Sequence, residues 1–426
     1  MFKTLRNAWA IPELRKKILF TLLIIVIFRI GSVIPAPFID TVALKNSMTG
    51  AGANSFFSYI STLTGGGLEY GAIFAMGVTP YINSSIIMQL LCVAIPALGR
   101  LQQEGEEGQK KLAQLTRYTT VILGLIQGIA YYIYLRNNAG GMLSVSNSMR
   151  WLAAPVIILT LTAGSALVMW LGEQIDVKGI GNGISILLFA GIISRVPQMV
   201  SYLWAYTELG MYVQVIAVIL VSLLQIAFVV WMTGAERRIP IQYAKRVVGR
   251  KMYGGQSTHM PIKVNMSGVM PIIFASSILS IPAMISGFTS KVNWFTKALA
   301  AMSYQGALYA VVYFILIIGF AYFYATIQYN PVEMANNLRK NSGAIPGIRP
   351  GKPTSDFIAK ILSRITLIGA LFLSVIAILP IVFGMVVGVQ LSMAGTSLLI
   401  LVGVALDTVQ SIESQMMMRH YKGFLD

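Results

Sequence analysis

Long apolar segments recur along the chain and are separated by shorter polar stretches. Each segment is about 20 residues long, the length a helix needs to cross roughly 30 Å of hydrocarbon. Strands of a membrane barrel would be about half as long and would alternate polar with apolar residues. The pattern therefore predicts ten transmembrane helices, near residues 18–35, 71–98, 118–135, 151–171, 180–203, 211–232, 266–288, 306–328, 359–380 and 393–412.

The composition agrees with a membrane protein. Hydrophobic residues make up 56% of the 426 positions and charged residues 11%, which leaves too few polar side chains to cover the surface of a soluble protein. In lipid the apolar surface faces outward, and each backbone polar group is satisfied within its helix. The first apolar segment is too long and too close to its successors for a cleavable signal peptide, and a single cysteine, Cys92, excludes an intramolecular disulfide.

Two neighbouring segments depart from a plain helical bundle. The second span, 71–98, is interrupted by Pro80, Asn83 and Gln89, which predicts a helix that faces protein or water rather than lipid. Residues 36–70 are too long for a tight turn and too apolar for a free loop. They predict a re-entrant helix folded back into the protein.

The charges are distributed unevenly between the two sides of the predicted bundle. The chain carries 32 basic and 15 acidic residues, a net charge of +17. With ten spans, 25 of the 32 basic residues lie on the side of the two termini. Six lie on the opposite side, namely Lys45, Arg136, Arg150, Arg195, Lys291 and Lys297. Because cytoplasmic loops retain lysine and arginine, both termini are predicted to be cytoplasmic.

Two cytoplasmic loops, 233–265 and 329–358, are long, basic and rich in glycine and proline. The positive-inside rule alone could account for their charge. Orientation needs only a few charges near a span, however, and these loops run for about thirty residues each, which favours a functional segment. We therefore expect a partner to dock on them from the cytoplasm.

Candidate catalytic chemistry is sparse. The two histidines, His259 and His420, have neither metal-ligand spacing nor an obvious nucleophile to serve, and the sequence has no ATP-binding phosphate loop. The glycine-rich stretch 179–183 lacks a preceding strand and is interpreted as a helix start. We expect no cofactor, no metal and no enzymatic activity.

Charged residues within the predicted spans help to distinguish a passive channel from an ion-coupled carrier. Ion-coupled carriers generally place carboxylates or histidines along the substrate path. The clear candidates are Arg29 in the first span and Asp407 in the last, and a structural role is favoured for both. A secondary solute transporter and an intramembrane enzyme remain alternatives. A transporter predicts pairs of polar residues buried in the membrane, and an enzyme predicts a group of catalytic residues at that depth.

Several ordered motifs resemble the SecY family of protein-conducting channels. They are Phe-Arg-Ile-Gly at 28–31, Gly-Glu-Gln-Ile at 172–175, Gly-Ile-Gly-Asn-Gly-Ile-Ser at 179–185, Tyr-Ala-Lys-Arg at 243–246, Gln-Ser-Thr-His-Met-Pro at 256–261, Pro-Gly-Ile-Arg-Pro-Gly at 346–351 and Gly-Thr-Ser-Leu-Leu-Ile at 395–400. They follow one another over nearly the whole chain, so together they are specific although each alone is weak.

The resemblance implies an all-α fold of two pseudo-symmetric five-helix halves, 1–204 and 205–426, hinged near 195–210 around a central pore. Residues 54–70 would form a plug, with Phe56, Phe57 and Ile60 on its helix and Gly65, Gly66 and Gly67 after it. The second and third spans would face the seventh and eighth across a lateral gate. An aliphatic pore ring would consist of Val78, Ile82, Leu188, Ile273 and Ile400.

The resemblance also implies partners and a location. The chain would be the channel subunit of a Sec translocase in a bacterial plasma membrane, passing unfolded secretory polypeptides and releasing transmembrane segments into lipid. SecE and SecG would be its companion subunits. The motor SecA or a ribosome would bind the basic loops through Lys245, Arg246, Arg250, Lys251 and Arg349.

Overall fold

The computed structural model describes residues 6, 8–49, 61, 64–137, 150–243, 246–248, 251–253, 257–266, 268–288, 306–387 and 394–422. Within these ranges the chain is mainly helical. The helices are α1 Pro12–Gly31, α2 Thr41–Thr49, α3 Thr79–Ala94, α4 Pro96–Gln103, α5 Glu106–Asn137, α6 Arg150–Lys178, α7 Gly183–Ile193, α8 Val196–Glu208, α9 Tyr212–Thr233, α10 Met270–Phe288, α11 Ala307–Gln328, α12 Pro331–Lys340, α13 Lys352–Val387 and α14 Ala394–Lys422.

Every predicted span overlaps one of these helices or a pair of them. Among the described residues, seven helical segments are long and apolar enough to cross a membrane. An eighth is obtained if α3 and α4, which meet at an angle of 108°, count as one span. The full count of ten therefore stays a prediction.

The second span differs from its predicted extent. Its helix begins at Thr79 rather than near residue 71, with Pro80 in its first turn, where the missing N–H costs nothing. Residues 64–78 instead form successive turns that pair with the end of α1: the Ala36 N–H donates to Gly71 O at 2.8 Å and the Ile73 N–H to Ile34 O at 2.9 Å. The Ser84 hydroxyl donates to Thr116 O at 2.8 Å, so α3 faces protein as predicted.

The described residues form two compact units. The first comprises 8–217, part of α10 from Leu279, and α14 from Val404 onward; the second comprises 218–278 and 306–403. In the first unit, one core joins α2, the turns after residue 64, α5 and α6. The division of the chain into halves at residue 204 remains a prediction.

The second unit contains a small sheet in addition to its helices. Strands β1 Glu236–Tyr243 and β4 Ser257–Lys263 pair antiparallel, with Ile239 opposite Met260, and β5 Gly343–Ala344 joins the other edge of β1. The short hairpin of β2 Arg246–Val248 and β3 Lys251–Tyr253 extends from β1. The sheet thus connects the two basic loops, which the sequence had predicted as separate segments.

Candidate functional site

The turns that follow residue 64 pack into the interior of the first unit. Leu68 is fully buried, and its carbonyl accepts a hydrogen bond of 3.0 Å from the buried Tyr131 hydroxyl of α5. Phe74 stacks on Phe28 of α1 with ring centroids 6.2 Å apart. The end of the predicted plug segment is therefore anchored by apolar packing and by backbone pairing with the chain after α1.

A buried ion pair lies at the same place. The Arg195 guanidinium contacts the Glu69 carboxylate and donates a second hydrogen bond of 2.7 Å to the Ser61 hydroxyl. The Ser61 hydroxyl in turn donates to Glu69 Oε1 at 2.9 Å. Glu69 and Arg195 are 8% and 7% exposed, so both charges are withdrawn from solvent and face one another and Ser61.

Arg29 also holds this segment. Its guanidinium donates a 2.8 Å hydrogen bond to the Gly65 carbonyl, which connects α1 to the glycine run. The structural role predicted for Arg29 therefore has a specific partner. Asp407 is solvent-exposed and borders a polar cavity of about 410 Å³, together with Lys17 and Asp176.

The glycine-rich stretch 179–183 leads into a helix, as predicted. The Asn182 side chain accepts from the Ser185 N–H at 3.0 Å and caps α7, and Asp176 accepts from the Gly183 N–H at 2.7 Å. These bonds satisfy backbone donors that the first turn of a helix leaves without partners.

Three predicted pore residues belong to the first unit. Val78 is the residue before the start of α3, and Ile82 lies one turn further on, with its N–H donating to Val78 O at 3.0 Å. Residues four apart share one face of a helix, so these two aliphatic side chains are neighbours. Leu188 lies midway along α7, and all three are buried.

The other two predicted pore residues belong to the second unit. Ile273 lies in the first turn of α10, where its carbonyl accepts from the Ser276 hydroxyl at 2.9 Å. Ile400 lies near the start of α14, and both side chains are buried. Their assembly with the first three into one ring remains a prediction.

The basic loops 233–265 and 329–358 pack together into one structure, which we call the cap. Its core is formed by Ile239, Ile241, Ile262, Leu338 and Ile345 beside the start of α13. The alternation along β1 places the isoleucines inward and leaves Arg238 and Pro240 exposed, as expected for a half-buried strand.

Arg349 is exposed in the turn that leads from β5 into α13. Its carbonyl accepts a hydrogen bond of 2.9 Å from the Thr354 hydroxyl, which fixes the turn to the first helical residues. Of the other predicted partner-binding residues, Arg246 and Lys251 are described by their backbone in β2 and β3, while Lys245 and Arg250 lie outside the described residues. Phe56, Phe57 and Ile60 of the predicted plug lie outside them as well.

Sequence reasoning missed the buried ion pair. Arg195 was counted among the basic residues of the external side, and Glu69 was not singled out. The two are 126 positions apart, and neither lies in a motif, so their partnership appears only in the fold. One signal could have indicated the pair: Glu69 is a lone carboxylate beside a glycine run in an otherwise apolar segment, so a buried basic partner could be expected.

A family model described as SecY matches residues 72–409. The chain belongs to the SecY family. Proteins described as "Protein translocase subunit SecY" from Halalkalibacterium halodurans and Bacillus subtilis are each 44% identical to it, over the whole of both chains. This SecY-family chain is accordingly a multi-pass membrane protein.

Solved structures share the fold of this SecY-family chain. One described as "The structure of a protein conducting channel" matches with a TM-score of 0.67, over 94% of this chain and 92% of its own, at 18% identity. A SecY structure whose plug domain is described as stabilising the closed state and maintaining a membrane seal reaches 0.64, at 18% identity and the same coverage. Canine Sec61 in a ribosome–channel complex from the endoplasmic reticulum reaches 0.63, at 17% identity and again the same coverage.

Proposed function

We propose that this chain is the protein-conducting channel subunit of a bacterial Sec translocase, which passes unfolded secretory polypeptides and releases transmembrane segments laterally into the bilayer. The observation that carries the proposal is 44% identity, over its full length, to chains described as translocase subunit SecY. The chain performs no covalent chemistry, so a bound ATPase, a ribosome or the proton gradient supplies the energy.

The pore ring is proposed to consist of Val78, Ile82, Leu188, Ile273 and Ile400. All five are aliphatic and buried. An apolar constriction favours dewetting and offers no hydrogen bonds to a passing chain, so it restricts ions while unlike sequences slide through. The segment from residue 54 to 70 is proposed to be the plug, and its buried end supports that role.

The orientation and partners follow from the basic loops. We place both termini in the cytoplasm of a bacterial cell, because most lysines and arginines then lie on the cytoplasmic side. SecA or a ribosome would bind the cap, with Arg349 exposed for contact, and SecE and SecG would complete the channel. Ribosome-bound relatives among the solved structures support the ribosome as a partner.

Reconstitution tests the channel function. Proteoliposomes that contain the chain with SecE, SecG, SecA and ATP should protect a secretory precursor from added protease. Protection should require ATP and should fail for a folded, cross-linked precursor. Absence of protection, with SecA and the companion subunits shown to be active on a related channel, would refute the proposal. Saturable uptake of a small solute would favour the transporter alternative instead.

Partner binding is tested by reversing one charge on the cap. Arg349→Glu should weaken binding of SecA or ribosomes, and for ribosomes it should lower the slope of log affinity against log salt by about one, because one contact to an RNA phosphate is lost. Abundance of the protein in membranes should not change, since Arg349 is exposed. Arg339→Glu is a matched control, because Arg339 is an exposed arginine of the same cap outside the proposed contact positions. Equal loss of binding in both variants would refute a specific role for Arg349.

A further inference from the structure

The ion pair between Glu69 and Arg195 connects two parts of the first unit that are distant in sequence. Glu69 lies in the turns that end the proposed plug segment. Arg195 is the residue before the start of α8, two positions after α7 ends at Ile193. The Arg195 side chain therefore holds Ser61 and Glu69 at the break between these two helices.

A second contact acts at the same break. Gly65 lies so close to it that a Cβ at this position would be 2.9 Å from the Gly191 carbonyl oxygen and 2.4 Å from the Ser194 hydroxyl. Arg29 of α1 donates a hydrogen bond to the Gly65 carbonyl at the same place. The residues around Gly65 are thus clamped between α1 and the α7–α8 break by two guanidinium groups.

A buried ion pair is a poor choice for stability alone. The cost of removing two charges from water offsets much of their attraction, and well-packed apolar residues often stabilise a fold as well or better. The pair does restrict where the two residues can lie, because moving either one alone within the interior would separate two buried opposite charges. When the segment moves out into water, both charges regain hydration, so the contact opens reversibly.

We propose that Glu69 and Arg195 are positioning residues that latch residues 64–70, the described end of the plug segment, to the α7–α8 break, and that this end leaves its seat only when the pair separates. Ser61 completes the latch by bonding to both side chains. The inference rests on the proposed function in one respect, that the segment closes a channel. It deepens that function by naming the contact that any opening step must break.

Thiol labelling of the full-length chain in native membranes tests the latch. The parent for labelling carries Cys92→Ser, which removes the single native cysteine, and Thr64→Cys, which places a probe at a side chain that is 1% exposed. A water-soluble maleimide should label this parent slowly. Glu69→Gln should raise the labelling rate by about tenfold or more, since the neutral amide removes the Glu69 charge from the buried Arg195 guanidinium.

The matched control is Glu208→Gln. Glu208 ends α8, the helix that Arg195 precedes, and its exposed carboxylate accepts a 3.2 Å hydrogen bond from the Trp204 indole. This variant should label within about twofold of the parent, as expected for an exposed polar contact. A labelling rate for Glu69→Gln no higher than that for Glu208→Gln overturns the latch.

A double-mutant cycle tests whether the two residues act as one unit. Arg195→Gln alone should also accelerate labelling, and the double variant should label no faster than the faster single variant, because coupled partners are not additive. Acceleration equal to the product of the two single effects overturns the pairing. If Arg195→Gln does not accumulate in membranes, the comparison of Glu69→Gln with Glu208→Gln decides the question.

A measurement of ion leak distinguishes failure of the latch hypothesis from failure of the proposed channel function. Proteoliposomes of each variant are assayed for anion leak in the absence of precursor, and Glu69→Gln should raise both labelling and leak. Faster labelling without leak supports the latch and refutes the role of the segment as the channel seal. Leak without faster labelling overturns the latch, because the ions then pass without release of the segment.

Discussion

The glycine run at 65–67 offers a graded test of how tightly the plug segment is seated. Gly65 and Gly66 have φ angles of +67° and +90°, a region that costs an L-residue about 1 kcal/mol or more, whereas Gly67 does not lie in that region. A Cβ on Gly67 would meet its nearest neighbours at 3.5 Å, an ordinary contact. The three glycine-to-alanine variants therefore each add the same methyl group but differ in the strain that it causes.

The structure gives each substitution a magnitude. Gly66→Ala should cost about 1 kcal/mol from its backbone angle alone, since the nearest atom to its Cβ is 3.4 Å away. Gly65→Ala adds a close approach of 2.9 Å to the Gly191 carbonyl oxygen and a clash with the Ser194 hydroxyl, which must turn away and lose its 2.7 Å hydrogen bond to Gly191 O. That bond contributes about 1 kcal/mol, so the total for Gly65→Ala is about 2 kcal/mol or more. Gly67→Ala should cost close to nothing.

Labelling of Thr64→Cys in the Cys92→Ser background measures these costs as opening of the segment. Relative to the parent, and normalised to the rate in denaturant, the rate should rise about thirtyfold for Gly65→Ala and about fivefold for Gly66→Ala. Gly67→Ala should stay within about twofold of the parent. Equal acceleration by Gly65→Ala and Gly67→Ala would refute the reasoning, because it would show that side-chain bulk rather than local geometry determines the opening.

Three further predictions address other parts of the chain. Ile241→Ala should destabilise the cap by about 2–4 kcal/mol because it leaves a cavity in the core of the cap. Trypsin should therefore cut the basic loops faster in this variant than in the control Gln242→Ala, which changes an exposed residue on the same strand. Equal rates of cutting in the two variants would contradict the packed cap. Asn182→Ala should remove the side-chain hydrogen bond at the N-terminus of α7, at a cost of about 1 kcal/mol, and lower the thermal unfolding midpoint. Asn182→Asp should retain that hydrogen bond and the midpoint. Identical midpoints for the two variants would contradict the capping role of Asn182. Leu188→Asn should admit water to the proposed ring and raise anion leak in proteoliposomes, whereas Leu188→Ile should not; unchanged leak in both would remove Leu188 from the ring.

The sequence by itself determined the helices and their approximate limits. A run of apolar residues long enough to cross a bilayer leaves the backbone no partner but its own turns, so hydropathy alone predicts segments such as Tyr212–Thr233 closely. The helix start at 179–183 was equally readable from the glycines that precede an apolar run, although the capping role of Asn182 appears only in the structure. The pore ring was different: Leu188 and Ile400 look like ordinary core residues, and only the resemblance to a family singled them out.

Tertiary structure decided what depends on residues far apart in the chain. The second span begins at Thr79 because residues 71–73 pair with residues 34–36, a backbone contact that no local pattern encodes. The two basic loops form one cap because β5 pairs with β1 across about a hundred intervening positions. Glu69 and Arg195 meet across 126 positions for the same reason. Hydropathy reports the environment of each segment in turn, whereas burial of a charge depends on which partner the fold brings to it.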